Sequence, residues 1–272
     1  FWRPQSGENK WRWLLWDTDH GLGFDYYYFE TYWGDPATDY LEWSTGLEGY
    51  HVDNGANNRI IRAILKNNEG RIDFINRFAD LLNTNLSYPM VLPVIDSLAN
   101  ILDPDMQYQA DRWNGDLDDW YNGVENVRNY ALERQQHIKN HIKNKFDLDS
   151  TFQVSLDLQP FSSGIIQINS INIHSFPWIG TYFSNVPIEI SVIPYDGYEL
   201  NHWNGTNNSS YTLILDSLVQ DTTISAILAP ISNHSLVINE INYNSASDFD
   251  TDDWVELYNN SDSSINISAW QF

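Results

Sequence analysis

The residues best placed to do chemistry are two carboxylates one residue apart. In "LLWDTDHGLG", residues 14–23, an apolar run stops at Asp17 and Asp19, with His20 beside them and Gly21 and Gly23 turning the chain. A strand that ends there would fix the backbone and aim both carboxylates into the opening beyond its end. Such hard oxygen donors suit Mg2+ or Mn2+, either of which can bridge a polyphosphate. Three readings stay open on the motif alone. A phosphotransferase would anchor its metal on one Asp, a nucleotide-sugar glycosyltransferase on a Rossmann-like sheet would use both, and a solvated strand-end turn would use neither. His20 reads as a turn or surface residue rather than a base.

The elements that must position the pair follow from periodicity. "WRWLLW", residues 11–16, reads as a strand, and residues 24–56, punctuated by Gly, Pro and Asp, as a long, partly packed loop. Helices take over next. Ile60, Ile61, Ile64 and Leu65 share one face, Gly70 interrupts, and Ile72, Ile75, Phe78, Ala79 and Leu82 resume the spacing in a second helix. Pro89, Pro93 and Pro104 mark starts or interruptions around "VLPVIDSLANIL", with Leu98, Ile101 and Leu102 expected to face inward. Trp120, Val124, Val127, Ala131, Ile138 and Ile142 trace the stripe of a long helix that ends near Phe146.

From about residue 151 the period falls to two. "FQVSLDL", "IIQIN", "PIEISVI", "YTLIL" and "TISAIL" predict a small antiparallel β domain with a core of its own and few contacts across the boundary. After "APISNHS", residues 229–235, "LVINEIN" and "WVELYN" begin another set of strands.

Composition narrows the partners. Fourteen basic residues stand against 37 acidic ones, a formal charge of -23 that disfavours nucleic acid and anionic lipid and favours cations or basic partners. With no cysteine there is no disulfide framework, thiolate zinc site or thiol nucleophile. No apolar stretch approaches the roughly 20 residues of a membrane span. Abundant Asn, Ser, Thr and aromatics over few lysines suit an extracellular or cell-surface bacterial protein. The opening "FWRPQSGENKWRW" and closing "ISAWQF" read as cut ends, so the chain is expected to be a fragment of a longer protein.

"KWRWLLWDTDHGLG" resembles the strand-and-metal segment of the CotH-type (spore coat protein H) atypical protein kinases, whose Trp-Asp-x-Asp motif plays the part of the kinase Asp-Phe-Gly element. The likeness continues through "NRIIRAILKNNEGRIDFINRFADLLNTNLSYPMVLPVIDSLANIL", "DRWNG" and "RNYALERQQHIKNHIKNKF", which look like that family's helical C-terminal lobe. The resemblance implies that Asp17 or Asp19 holds the Mg2+ or Mn2+ of bound ATP, Asp17 being the first choice. It also implies that the phosphate-pairing Lys and the catalytic-loop Asp and Asn lie upstream of Phe1, since Lys10 does not match the lobe lysine by position. The chain alone is then expected to be inactive.

Residues 151–230 resemble bacterial surface repeats of the internalin B-repeat type, and "LVINEINYNSASDFDTDDWVELYN" resembles the opening of a lamin-tail domain. Trp178, Tyr182, Tyr198 and Trp203 could form a ligand platform, although packing is the preferred reading. "DFDTDD", residues 248–253, reads as a solvated acidic turn rather than a calcium loop.

The expected architecture is multidomain α+β. A mainly helical kinase-like C-lobe covers residues 1–148, a small antiparallel β module 151–230, and the truncated start of an immunoglobulin-like β sandwich 235–272. The expected function is phosphoryl transfer from ATP to a hydroxyl of a protein or surface component. The rival is a cell-surface adhesion or scaffold protein with an inactive kinase-like lobe, whose β modules bind a surface or matrix ligand. A glycosyltransferase ranks third.

Overall fold

The computed structural model describes residues 22, 34–46, 58–231, 236–243 and 252–268. The strand expected at residues 11–16 lies outside them. The described chain is of mixed α+β class, with five helices followed by ten strands.

Inside the stretch expected to be loop, Tyr40–Thr45 form a short helix, α1. Asp39 starts it by accepting the Glu42 N–H at 2.9 Å, and Leu41 is buried beneath. A six-residue helix is too short to show a period. Helices α2 (Arg59–Lys66) and α3 (Asn68–Asn83) part at Asn67 rather than at the expected Gly70. Asn67 caps α3 through its side-chain oxygen, which accepts the Gly70 N–H at 2.9 Å. Gly70 has a different role: a Cβ there would stand 2.8 Å from the Ile64 carbonyl oxygen, so glycine lets the end of α2 close on α3. Helix α2 itself buries no residue, and Ile60 and Ile64 are exposed.

Helix α4 runs unbroken from Tyr88 to Trp113. Pro89 sits in its first turn, as expected, but Pro93 and Pro104 do not interrupt it. Each removes one N–H, and the carbonyls left without a partner belong to Pro89 and Asn100, both exposed to water. Leu98, Ile101 and Leu102, expected to face inward, are exposed, and Ile95 is the one buried residue of α4. Helix α5 (Leu117–Phe146) follows its expected stripe: Ala131, Ile138 and Ile142 are buried, and Trp120, Val124 and Val127 half-buried.

Eight strands follow: β1 (Thr151–Gln159), β2 (Gly164–Ile168), β3 (Ile171–Ile173), β4 (Trp178–Phe183), β5 (Ile188–Pro194), β6 (Tyr198–Asn204), β7 (Thr212–Leu215) and β8 (Thr222–Pro230). They form two four-stranded sheets, ordered β4-β1-β8-β6 and β3-β2-β5-β7. The expectation of a purely antiparallel module fails at one pair, because β1 and β8 run parallel, with Leu156 opposite Ile224. Parallel neighbours need a long crossover, and the six strands between them in sequence supply it. Alternating residues Val154, Leu156 and Leu158, Ile188, Ile190 and Val192, and Ile224, Ala226 and Leu228 fill a common core. Tyr182 and Trp203 are buried in it and Trp178 and Tyr198 half-buried, as packing rather than a ligand platform requires. Strands β9 (Leu236–Asn242) and β10 (Trp254–Asn259) pair antiparallel as a separate two-stranded sheet.

Helices and strands do not keep separate cores. Ile75, Ala79 and Leu82 of α3 belong to the same apolar cluster as the strand residues. Four polar residues on α3 fasten this joint, among them Arg77, which donates to the Ser170 hydroxyl at 2.7 Å. Asn76 donates to the Pro187 carbonyl at 2.8 Å. Asp80, fully buried, accepts from the Tyr182 hydroxyl at 2.8 Å and from the Ser170 N–H and hydroxyl at 2.9 and 2.6 Å. Asn83 exchanges two bonds with the backbone of Thr181, accepting its N–H at 2.8 Å and donating to its carbonyl at 2.9 Å. The link is tied as well, by Ser150 and Ser184 bonding each other and by Asn185 donating to Asp149 at 2.9 Å. The expected joint with few crossing contacts is therefore a bonded interface.

Candidate functional site

Asp17, Asp19 and His20 lie outside the described residues. The described residue nearest the motif in sequence is Leu22. Its φ of 56° lies in the left-handed region, where a Leu costs about 1 kcal/mol or more. It lines a small apolar cavity of about 230 Å³ with Phe78 and Leu82 of α3, Leu86, and Tyr130 and Ile138 of α5.

Helix α5 also holds the segment around α1. Arg134, His141 and Lys145 recur at spacings of seven and four, which puts them on one helical face with Ile138 between. Arg134 donates from one nitrogen to the carbonyls of Pro36 and Thr38, both at 2.7 Å, and its guanidinium lies 5.2 Å from the centre of the Tyr40 ring. Lys145 pairs with Glu42 at 2.6 Å. Buried His141 brings Nδ1 to 3.7 Å from the Asp39 carboxylate, too long for a hydrogen bond. Burial holds its pKa below the ordinary histidine value, against the pull of Asp39, so it is neutral near pH 7. Further on, Asn58 donates to the carbonyls of Ser44 and Gly46 at 3.0 and 2.9 Å, which ties the end of α1 to the start of α2.

The result is a platform. One helix supports both Leu22, three residues beyond Asp19, and the segment from Pro36 to Thr45. Its groups clamp backbone and charge; none of the three is posed as a base. Sequence reasoning passed over Asp39, Arg134 and His141. The available signal was charged and imidazole residues interleaved with Ala131, Ile138 and Ile142, on a stripe that a solvent-facing helix would keep apolar only beneath.

Among the described residues, no group of three or more His, Asp or Glu could hold a metal ion. Asp17 and Asp19, outside the described residues, would offer four hard carboxylate oxygens of the kind that suits Mg2+ or Mn2+. Of the acidic turn before β10, Asp252 and Asp253 are described and exposed; residues 248–251 lie outside. Among the described residues no helix is long and apolar enough to cross a membrane.

Helices that support Leu22 and residues 36–45, bonded to a β module, define a protein of mixed α+β class. Residues 1–138, just over half of the 272, match the family model described as CotH kinase protein. The chain belongs to the CotH kinase family. No curated protein and no solved structure matches it.

Proposed function

We propose that this chain carries the metal-holding part of a phosphotransfer site, in a protein that moves a phosphoryl group from ATP to a hydroxyl of a protein or surface component. The observation that carries the reading is the family match, whose span of residues 1–138 includes both Asp17 and Asp19. In this reading the two carboxylates hold Mg2+ or Mn2+, which neutralises phosphate charge when bound. Leu22 and the α5 platform orient the turn that bears them. The protein is read as extracellular or cell-surface, with the phosphate-pairing Lys and catalytic-loop residues supplied from sequence upstream of Phe1.

The β1 to β8 module is proposed as a B-repeat-like surface unit and the β9–β10 pair as the opening of a lamin-tail domain. Their alternating strands and the "INEI" and "DWVELYN" segments support this.

The test measures Mg2+- or Mn2+-dependent transfer from labelled ATP by the 272-residue chain and by a longer protein that includes the upstream sequence. Transfer is expected only from the longer one. There Asp17→Asn and Asp19→Asn, made separately, should leave the circular dichroism spectrum intact, and at least one should lower transfer by orders of magnitude. Mn2+ binding in the presence of ATP should weaken in parallel. Full transfer by both variants would return the motif to a structural turn, and absence of transfer from the longer protein would favour the scaffold.

A further inference from the structure

A second cavity, of about 780 Å³, opens where α2, α3 and the end of α5 meet the β module. Sixteen described residues line it, and they carry four of the chain's fourteen cations but only two of its 37 carboxylates. The cations are Arg62, Lys66, Arg71 and Lys145, the carboxylates Asp147 and Asp216. In a protein of formal charge -23, a lining with more cations than carboxylates is a local reversal of sign.

We propose that the cavity binds a phosphorylated small organic molecule. The chemistry of the lining argues for a phosphate. Arginine offers a planar fork that matches its oxygens, lysine a compact point charge, and two of each surround the opening. Arg71 donates to the Asn68 side chain at 2.7 Å, which holds its stem in place, whereas Lys145 is paired with Glu42 at 2.6 Å, so Arg62, Lys66 and Arg71 carry the positive charge offered to an anion. The rest of the lining argues for an organic body. Ile72, Phe146 and Leu148 supply apolar wall beside the charges, and the volume falls within the range of small-molecule sites.

The overall charge does not forbid this. At physiological ionic strength repulsion from distant carboxylates is screened beyond about 8 Å, so the groups that line the cavity decide whether an anion stays. The cavity shares no lining residue with the one that Leu22 borders, and the proposal does not depend on the phosphotransfer reading.

Phenyl phosphate, inorganic phosphate and phenol serve as probes in isothermal titration with the whole chain, without divalent metal or ATP. Phenyl phosphate is expected to bind saturably at one site, more tightly than inorganic phosphate, and phenol not at all. Replacing Lys66 and Arg71 together by Gln should weaken phenyl phosphate by about tenfold or more, which corresponds to about 1.4 kcal/mol. Lys66→Gln alone, at an exposed position, should give a smaller loss in the same direction and guards against a folding defect in the double variant. Arg112→Gln, at the far end of α4, should change nothing. The proposal fails if no probe saturates, if phenol or inorganic phosphate binds as well as phenyl phosphate, or if the double variant binds like the parent chain.

Discussion

Helices α3 and α4 are both apolar enough to be read as core elements, yet they meet opposite fates. In sixteen residues α3 buries Ile75, Asn76, Ala79, Asp80 and Leu82, whereas α4 in 26 buries Ile95 alone. The difference lies in what faces them. Helix α3 lies against a β module whose backbone and hydroxyl groups, in strands and turns, answer each polar side chain it buries. Helix α4 packs chiefly on α5, and the stripe of Met90, Val94, Leu98 and Ile101 remains in water. A buried polar group that finds partners marks an interface as clearly as an apolar one.

The largest test of that contrast is Asp80→Ala. The substitution leaves the buried Tyr182 hydroxyl without its acceptor and takes the same acceptor from the Ser170 N–H and hydroxyl, which border an open cavity. Charge-assisted bonds and unsatisfied buried donors together set the expected loss at about 3 kcal/mol in urea unfolding. Tyr182→Phe removes one donor and should cost less, about 1 to 2 kcal/mol. If the joint is what weakens, protease sites at residues 147–150 should open in Asp80→Ala while the strand core stays protected. A loss below about 0.5 kcal/mol would make the helix–sheet contact incidental.

Asn83→Ala asks a narrower question. Strand β4 is the edge of its sheet, and the outward N–H and carbonyl of Thr181 would otherwise face an empty register. The Asn83 amide presents the same donor and acceptor as a neighbouring strand would, which closes the edge. Its loss should cost about 1 to 2 kcal/mol. Asn83→Asp should be at least as harmful, because it loses the donor and sets a carboxylate against the Thr181 carbonyl. Recovery of full stability by Asp would show that only the N–H bond matters.

How much of this is legible in the sequence depends on range. The α5 stripe and the main strands are readable because each repeats a local period over many residues. Residues Ile171–Ile173 escape because three residues hold no period, α1 because six hold little more, and Trp178–Phe183 and Tyr198–Asn204 because neither sheet-edge strand alternates cleanly between buried and exposed residues. Leu98 and Ile101 mislead because apolarity at helical spacing says which face is uniform, not whether anything covers it. Asp80 could not be found at all, since its partners lie about ninety residues away on a different kind of element. The carboxylate pair is visible through residue type and spacing, and the family match extends over it, while the α5 clamp depends on pairings across about a hundred residues.

A smaller effect is expected from acid on the α5 platform. Burial lowers the folded-state pKa of His141 below its unfolded value near 6.5, with Asp39 opposing and Arg134 and His137 adding to the shift. Its contribution is therefore intact above about pH 6.5 and is lost as pH falls from there through the folded pKa. One proton limits the slope to about 1.4 kcal/mol per pH unit. Urea midpoints between pH 7 and 5 should fall more steeply for the parent chain than for His141→Gln. Equal slopes would mean that the imidazole is as free to charge in the folded chain as in the unfolded one.

The smallest effect is expected where apolar residues are most prominent to the eye. Ile101 is 67% exposed and Leu98 56%, so replacing either with Ser removes little area from a buried environment. Helix propensity falls slightly, since Ser ranks below Leu in a helix interior and close to Ile. The two terms together should stay within about 0.5 kcal/mol, against about 3 kcal/mol for Ile190→Ala in the strand core, where exposure is nil. The measurement is urea unfolding of the three variants side by side at micromolar concentration. If Ile101→Ser destabilises the chain by as much as Ile190→Ala, something covers that stripe in solution, and α4 belongs with α3 as an interface helix after all.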